Sequence, residues 1–168
     1  MTSKTKLGSS QEQVEASVMA QRLRAAGVPS NRLYWQRYLS HNRLLALLSF
    51  ANVALDPLYF GGDGSTREAF EMGCPVITWP TAALGARWTA AMYAQLGFEA
   101  RWPEVPVVSS AEQYVEAAVS LATNVRGQGA ILRRALRERV TGLRGITDGL
   151  FLRADAIDSW EDALLSVV

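Results

Sequence analysis

The stretch Leu55-Asp-Pro-Leu-Tyr-Phe-Gly-Gly-Asp-Gly-Ser-Thr-Arg-Glu-Ala-Phe-Glu-Met-Gly-Cys-Pro-Val-Ile-Thr-Trp79 reads as strand end, glycine-rich loop, helix and second strand. Asn52-Val-Ala-Leu-Asp56 is an apolar strand ending in an acid, and Pro75-Val-Ile-Thr-Trp79 is another, closed by Pro80. Between them lie Gly61, Gly62 and Gly64, then Ser65 and Thr66 at a helix start, and Gly73 at that helix's end. Glycine lets the backbone approach a ligand closely, and the first N–H groups of a helix have no intrahelical acceptor. With the helix dipole, these donors make a phosphate site at about Gly64, Ser65 and Thr66, to which the two hydroxyls add. Glu68, about one turn into the helix, is placed to accept hydrogen bonds from paired ribose hydroxyls. The same turn also occurs in α/β folds that bind nothing, and it is neither a Walker A loop nor Gly-x-Gly-x-x-Gly, so the spacing leaves both readings open.

Outward from this stretch, strands alternate with helices. Upstream, a capping pattern at Ser10 and Gln13 opens a helix over 11–26, which Gly27 and Pro29 close. Arg32–Tyr38 is short, aromatic and compatible with a strand, and Ser40 precedes a helix carrying Leu44, Leu45, Leu47 and Leu48. Downstream, a helix over 82–96 ends before Gly97, and Ser109 and Ser110 precede a helix through Ala122. A basic helix follows over 130–143, then an amphipathic one over 154–168. Short apolar strands separated by helices predict an α/β fold with a Rossmann-like parallel sheet and a helical C-terminal end. Residues 1–9 are polar and expected to be a disordered tail, leaving one domain over 10–168.

The charge balance, 17 Lys+Arg against 16 Asp+Glu for a net +1, lacks the one-sign field of a nucleic-acid or acidic-membrane binder. A single cysteine, Cys74, and a single histidine, His41, argue against a zinc centre, and no Asp-x-Asp occurs. The N-terminus has no apolar core of a signal peptide, and Leu44–Ala54 is too short to span a bilayer. A cytoplasmic protein is expected, with the nucleus as the alternative compartment.

The residues from about Val28 to Phe98 resemble the C-terminal catalytic half of glycosyltransferase family 41, which holds the protein O-GlcNAc transferases and the SPINDLY-type O-fucosyltransferases. The resemblance is carried by Ala51-Asn-Val-Ala-Leu-Asp56, Tyr59-Phe-Gly-Gly62, Gly64-Ser-Thr-Arg-Glu68 and Met72-Gly-Cys-Pro-Val-Ile-Thr78, without a gap from Leu55 to Thr78. Leu84-Gly-Ala-Arg87, Leu96-Gly97 and Gly27-Val-Pro-Ser-Asn-Arg32 extend it. It implies the C-terminal half of a GT-B fold, holding a UDP- or GDP-sugar without metal or other cofactor. Gly64, Ser65 and Thr66 would face the diphosphate, Glu68 the ribose, and the Ser40–His41 loop would lie near the base, with Gly62 also in the nucleotide-sugar site. The implied reaction is transfer of GlcNAc or a related sugar to Ser or Thr of a protein acceptor; no catalytic residue is assigned. Family 41 has an N-terminal catalytic half with a phosphate-binding lysine, and neither is found here, so the isolated chain is expected to be inactive without that half or a second chain. The alternative is a non-catalytic Rossmann-like binding or regulatory module.

The chain departs from the family at the phosphate loop. Asp63 and Gly64 stand where His or Thr is usual, and an aspartate beside a diphosphate is repulsive unless it turns away or pairs with Arg67 or Arg87. His41 occupies the place of a base-stacking lysine; a solvated helix-start histidine is the alternative. Cys74 reads as an inert buried thiol, and Trp79 and Trp88 as core aromatics or pocket walls. Arg133, Arg134, Arg137 and Arg139 form either a solvated helix face or an interface with a missing half-domain.

Overall fold

The computed structural model describes residues 10–124, 126–142 and 154–166; the expected tail, residues 1–9, lies outside them. The chain divides into two compact units, the first ending at His41 and the second beginning at Asn42.

In the N-terminal unit, helix α1 (Ser10–Ala25) is followed by a 3-10 turn at Ser30–Arg32. Gly27 ends α1 with φ 84°, and the Val28 N–H bonds back to the Leu23 carbonyl at 2.9 Å. Only glycine adopts this left-handed turn freely, which is why it marks the helix end. The strand expected over Arg32–Tyr38 is absent: residues 33–40 have no regular structure. Tyr34 and Tyr38 are 90% and 92% exposed. An aromatic run acquires strand structure only when a neighbouring strand takes its N–H and C=O groups, and no described residue of this unit does so.

The second unit takes in the rest of α2 (His41–Phe50), then β1 (Ala54–Leu55), α3 (Gly64–Glu71), β2 (Val76–Ile77), a 3-10 turn (Leu84–Ala86), α4 (Trp88–Gln95), α5 (Ala111–Thr123), α6 (Gln128–Thr141) and α7 (Ala154–Leu165). The two strands are parallel, with Ala54 opposite Val76 and Leu55 opposite Ile77, and an isolated parallel bridge joins Thr78 to Val107. The architecture is mixed α/β. Its described sheet is two short parallel strands, where a full Rossmann-like sheet was expected. The helical C-terminal end is present as α7, whose Ile157, Trp160 and Leu164 are exposed.

The core packs around β2. Ile77 and Phe70 are fully buried, with Leu121 and Leu136 from α5 and α6 against them. Tyr93 of α4 is fully buried too, its ring 4.5 Å from Phe70. Its hydroxyl accepts the Val76 N–H at 3.0 Å and donates to the Val76 carbonyl at 3.2 Å, so a side chain completes the strand edge. A buried backbone pair left open there would be costly, and this bridge closes it. Trp79 packs against this core, as read from the sequence; Trp88 is 37% exposed.

Two of the helices carried by this core end in left-handed glycines, Gly73 and Gly97, with φ 71° and 75°. The arginines of α6 lie over those ends. Arg137 donates to the Met72 carbonyl at the end of α3 (3.0 Å), and Arg139 to the Leu96 carbonyl at the end of α4 (3.0 Å) while stacking on Phe98. Arg133 donates to the Ser49 carbonyl at 3.1 Å and to that of Ala51, both at the end of α2. Cations at helix C-termini satisfy orphan carbonyls and oppose the negative end of the dipole. Arg133, Arg137 and Arg139 thus clamp three helix ends, a role that neither sequence reading of them, solvated face or foreign interface, includes. Arg134 is exposed and pairs with Glu138 at 2.7 Å.

Candidate functional site

The loop between β1 and α3 is shaped by contacts only glycine permits. A Cβ on Gly61 would lie 2.7 Å from Asp56 Oδ2, and one on Gly62 would collide with Ser65 Oγ and stand 2.8 Å from Thr66 Oγ1. The Gly61 N–H donates to the Gly85 carbonyl at 2.8 Å, and the Gly62 N–H to Asp56 Oδ1 at 2.9 Å. Gly64, by contrast, faces open space.

Beyond the loop, α3 begins without a side-chain cap. Asp63 occupies the N-cap position but makes no capping bond. It pairs instead with Arg67 at 3.2 Å, one of the two partners that relieve its repulsion toward an anion. The first backbone bond of the helix is Arg67 N–H to the Asp63 carbonyl, so the N–H groups of Gly64, Ser65 and Thr66 precede the hydrogen-bonded ladder. Ser65 is exposed, whereas Thr66 is 2% exposed.

The hydroxyl of Thr66 has an inward commitment. Its oxygen lies 3.2 Å from Thr89 Oγ1, and Thr89 donates its own proton to Asp56 Oδ2 at 2.9 Å. A hydroxyl has one proton, so Thr66 is the donor to Thr89, and only its backbone N–H remains for a ligand. Thr78, at the end of β2, donates to the same Asp56 Oδ2 at 2.8 Å. Asp56 is 5% exposed, and the Tyr114 hydroxyl donates to its backbone carbonyl at 2.9 Å. Burial and the nearby Asp56 carboxylate raise the Tyr114 phenol above its ordinary value.

A cavity of about 300 Å³ opens beside this loop. Leu44 and Leu48 of α2 form its apolar side, and Gly61, Gly62, Ser65 and Thr66 its polar one. Of the residues singled out in the sequence, Gly62, Gly64, Ser65 and Thr66 thus come together at one helix start. Glu68 is half-buried one turn further along α3. His41 is the exposed first residue of α2 and belongs to the N-terminal unit. Asp56, Thr78 and Thr89 were not singled out; the acid ending an apolar strand and the hydroxyl at the matching place of the next strand were the signal.

Cys74 is buried, and burial pushes its thiol up to about 11 against the opposing pull of Arg133, which leaves it unreactive at neutral pH. Among the described residues, no group of three or more His, Cys, Asp or Glu is placed to hold a metal ion, and no helix is long and apolar enough to cross a membrane.

Against known proteins, no family model matches the sequence, and no curated protein matches it significantly. Among solved structures, a mutant O-GlcNAc transferase of Thermobaculum terrenum matches with TM-score 0.76 and 28% identity over 94% of this chain. The chain is a glycosyltransferase-like domain. The resemblance carried by the loop motifs is therefore also one of three-dimensional structure, with the O-GlcNAc transferases of family 41 on both counts. The chain spans 30% of the length of that transferase.

Proposed function

We propose that this glycosyltransferase-like domain is the C-terminal, Rossmann-like half of a GT-B enzyme that holds a UDP- or GDP-sugar for transfer to Ser or Thr of a protein acceptor. The match over 94% of the chain carries this reading. The uncapped start of α3 beside a cavity supports it locally. The N–H groups of Gly64–Thr66 and the Ser65 hydroxyl point their dipoles where negative charge grows on the leaving diphosphate, and Glu68 takes the ribose hydroxyls. The apolar wall of Leu44 and Leu48 suits the base, with His41 at the head of the same helix. Fixed neutral donors supply this stabilisation without a metal, so EDTA should not alter binding. A second half-domain or chain completes the cleft, so the chain alone carries out no transfer. The compartment is cytoplasmic or nuclear.

Asp63 at the helix start favours a second reading, a non-catalytic module that retains the fold without the ligand. Calorimetric titration with UDP and GDP, each with and without EDTA, separates the two. Saturable, EDTA-indifferent binding supports the transferase reading, and no binding of either nucleotide supports the module.

A further inference from the structure

We propose that Asp56 is the positioning residue of the diphosphate loop, its buried carboxylate joining the Gly62 N–H to the hydroxyls of Thr78 and Thr89; this rests on the nucleotide-sugar reading above. Stability alone gives little reason for an acid here. Asp56 is 5% exposed, and its carboxylate oxygens meet three neutral donors and no cation among the described residues. Desolvating a carboxylate is costly, and neutral hydrogen bonds return only part of that cost. An apolar residue would hold β1 in the core more cheaply.

The acid does what an apolar residue cannot. One oxygen fixes the Gly62 peptide, and the Gly85 carbonyl fixes the Gly61 peptide, so two consecutive peptides of the loop are tied to the frame. The other oxygen orients Thr89, which in turn takes the Thr66 proton and seats the first turn of α3. The free donors, Gly64 N–H to Thr66 N–H, lie between these two anchored points. Their direction is therefore set by Asp56, because α3 has no side-chain cap to set it. Preorganised donors bind an anion better than donors that must be ordered on binding. Asp56 touches no phosphate itself; it acts through Gly62 and Thr66.

The experiment uses the full chain and four ligands: UDP and GDP, with uridine and guanosine as the diphosphate-free controls. Amide hydrogen exchange at Gly62 is measured without ligand in parallel. Asp56→Ala is expected to weaken the bound diphosphate at least about ten-fold and its nucleoside less than about two-fold, with faster Gly62 exchange. Asp56→Asn keeps an oxygen for the Gly62 N–H, and the two hydroxyls can turn to accept from its amide. It should restore diphosphate affinity to within about three-fold of wild type and slow Gly62 exchange again. A folded Asp56→Ala chain that loses diphosphate and nucleoside in the same proportion overturns the positioning role, as does failure of Asp56→Asn to rescue. If Asp56→Ala does not fold, Thr89→Val decides: a changed diphosphate-to-nucleoside ratio supports the proposal and an unchanged one refutes it. Wild-type chain that binds none of the four ligands refutes the nucleotide reading instead, and the Gly62 exchange rates then still show whether Asp56 holds the loop.

Discussion

Ser65 and Thr66 are adjacent, similar and drawn from the same motif, yet the structure gives them opposite roles, and paired substitutions separate these. Ser65 is exposed and caps nothing, so Ser65→Ala should change stability by no more than about 0.5 kcal/mol. If its hydroxyl donates to a diphosphate, the lost charge-assisted bond is worth about 1.5–3 kcal/mol, roughly a ten- to hundred-fold weaker affinity. Thr66 is 2% exposed, with its proton committed to Thr89. Thr66→Val keeps the volume and the backbone N–H but removes that bond and leaves Thr89 with an open acceptor. It should destabilise the fold by about 1–2 kcal/mol and, because the first turn of α3 loses its tie to Thr89, lower the diphosphate-to-nucleoside affinity ratio by no more than about three-fold. Urea unfolding gives the first quantity, and calorimetry with UDP, GDP and their nucleosides the second. The crossover is the test. If Thr66→Val lowers that ratio more than Ser65→Ala does, the assignment of the hydroxyl protons is wrong. If neither substitution alters the ratio, the glycine loop is only a turn.

Three further outcomes follow from the packing. Tyr93→Phe opens the buried N–H and carbonyl of Val76 and should lower stability by about 2–4 kcal/mol in urea unfolding; a loss below about 1 kcal/mol would mean that water replaces the hydroxyl. The Cys74 thiol is raised from 9.0 to about 11 in the fold, so its contribution is fully present below pH 9 and is lost as pH rises to about 11. Cys74→Ala should flatten the stability profile across that window, and an unchanged slope would exclude the thiol as its source. Arg133→Met frees the carbonyls of Ser49 and Ala51 and should cost about 1.5–3 kcal/mol, with amide exchange rising in α2 more than in α6; equal change in both helices would refute a specific clamp.

Local signals in this sequence were legible because their physics is local. Gly27, Gly73 and Gly97 were read as helix ends, and all three adopt the left-handed conformation that other residues resist. Ser110 was read as preceding a helix, and its hydroxyl accepts the Gln113 N–H at 3.2 Å. The apolar strands over 52–56 and 75–79 survive as the cores Ala54–Leu55 and Val76–Ile77, and the helix start at Gly64–Thr66 lies where the hydroxyl pair placed it. Arg32–Tyr38 has the composition of a strand, but a strand is a property of a pair, and its neighbour is not written in its own residues.

The same distinction explains the site. Glycine spacing and hydroxyls showed where a helix start lies open, but not which hydroxyl proton is already taken. That depends on Thr89, 23 residues beyond Thr66, and on Asp56 on the other side of the loop. The arginine row of α6 is the larger case. Its targets are carbonyls 43 to 84 residues away, at the ends of three helices, and a carbonyl carries no residue identity for the sequence to display. Side chains that serve other side chains leave a trace in composition; side chains that serve backbone leave none. The candidate site is framed mostly by the second kind of contact, at Gly61, Gly62 and the carbonyl of Asp56, so its location could be read from motifs while the residues that aim its donors could not.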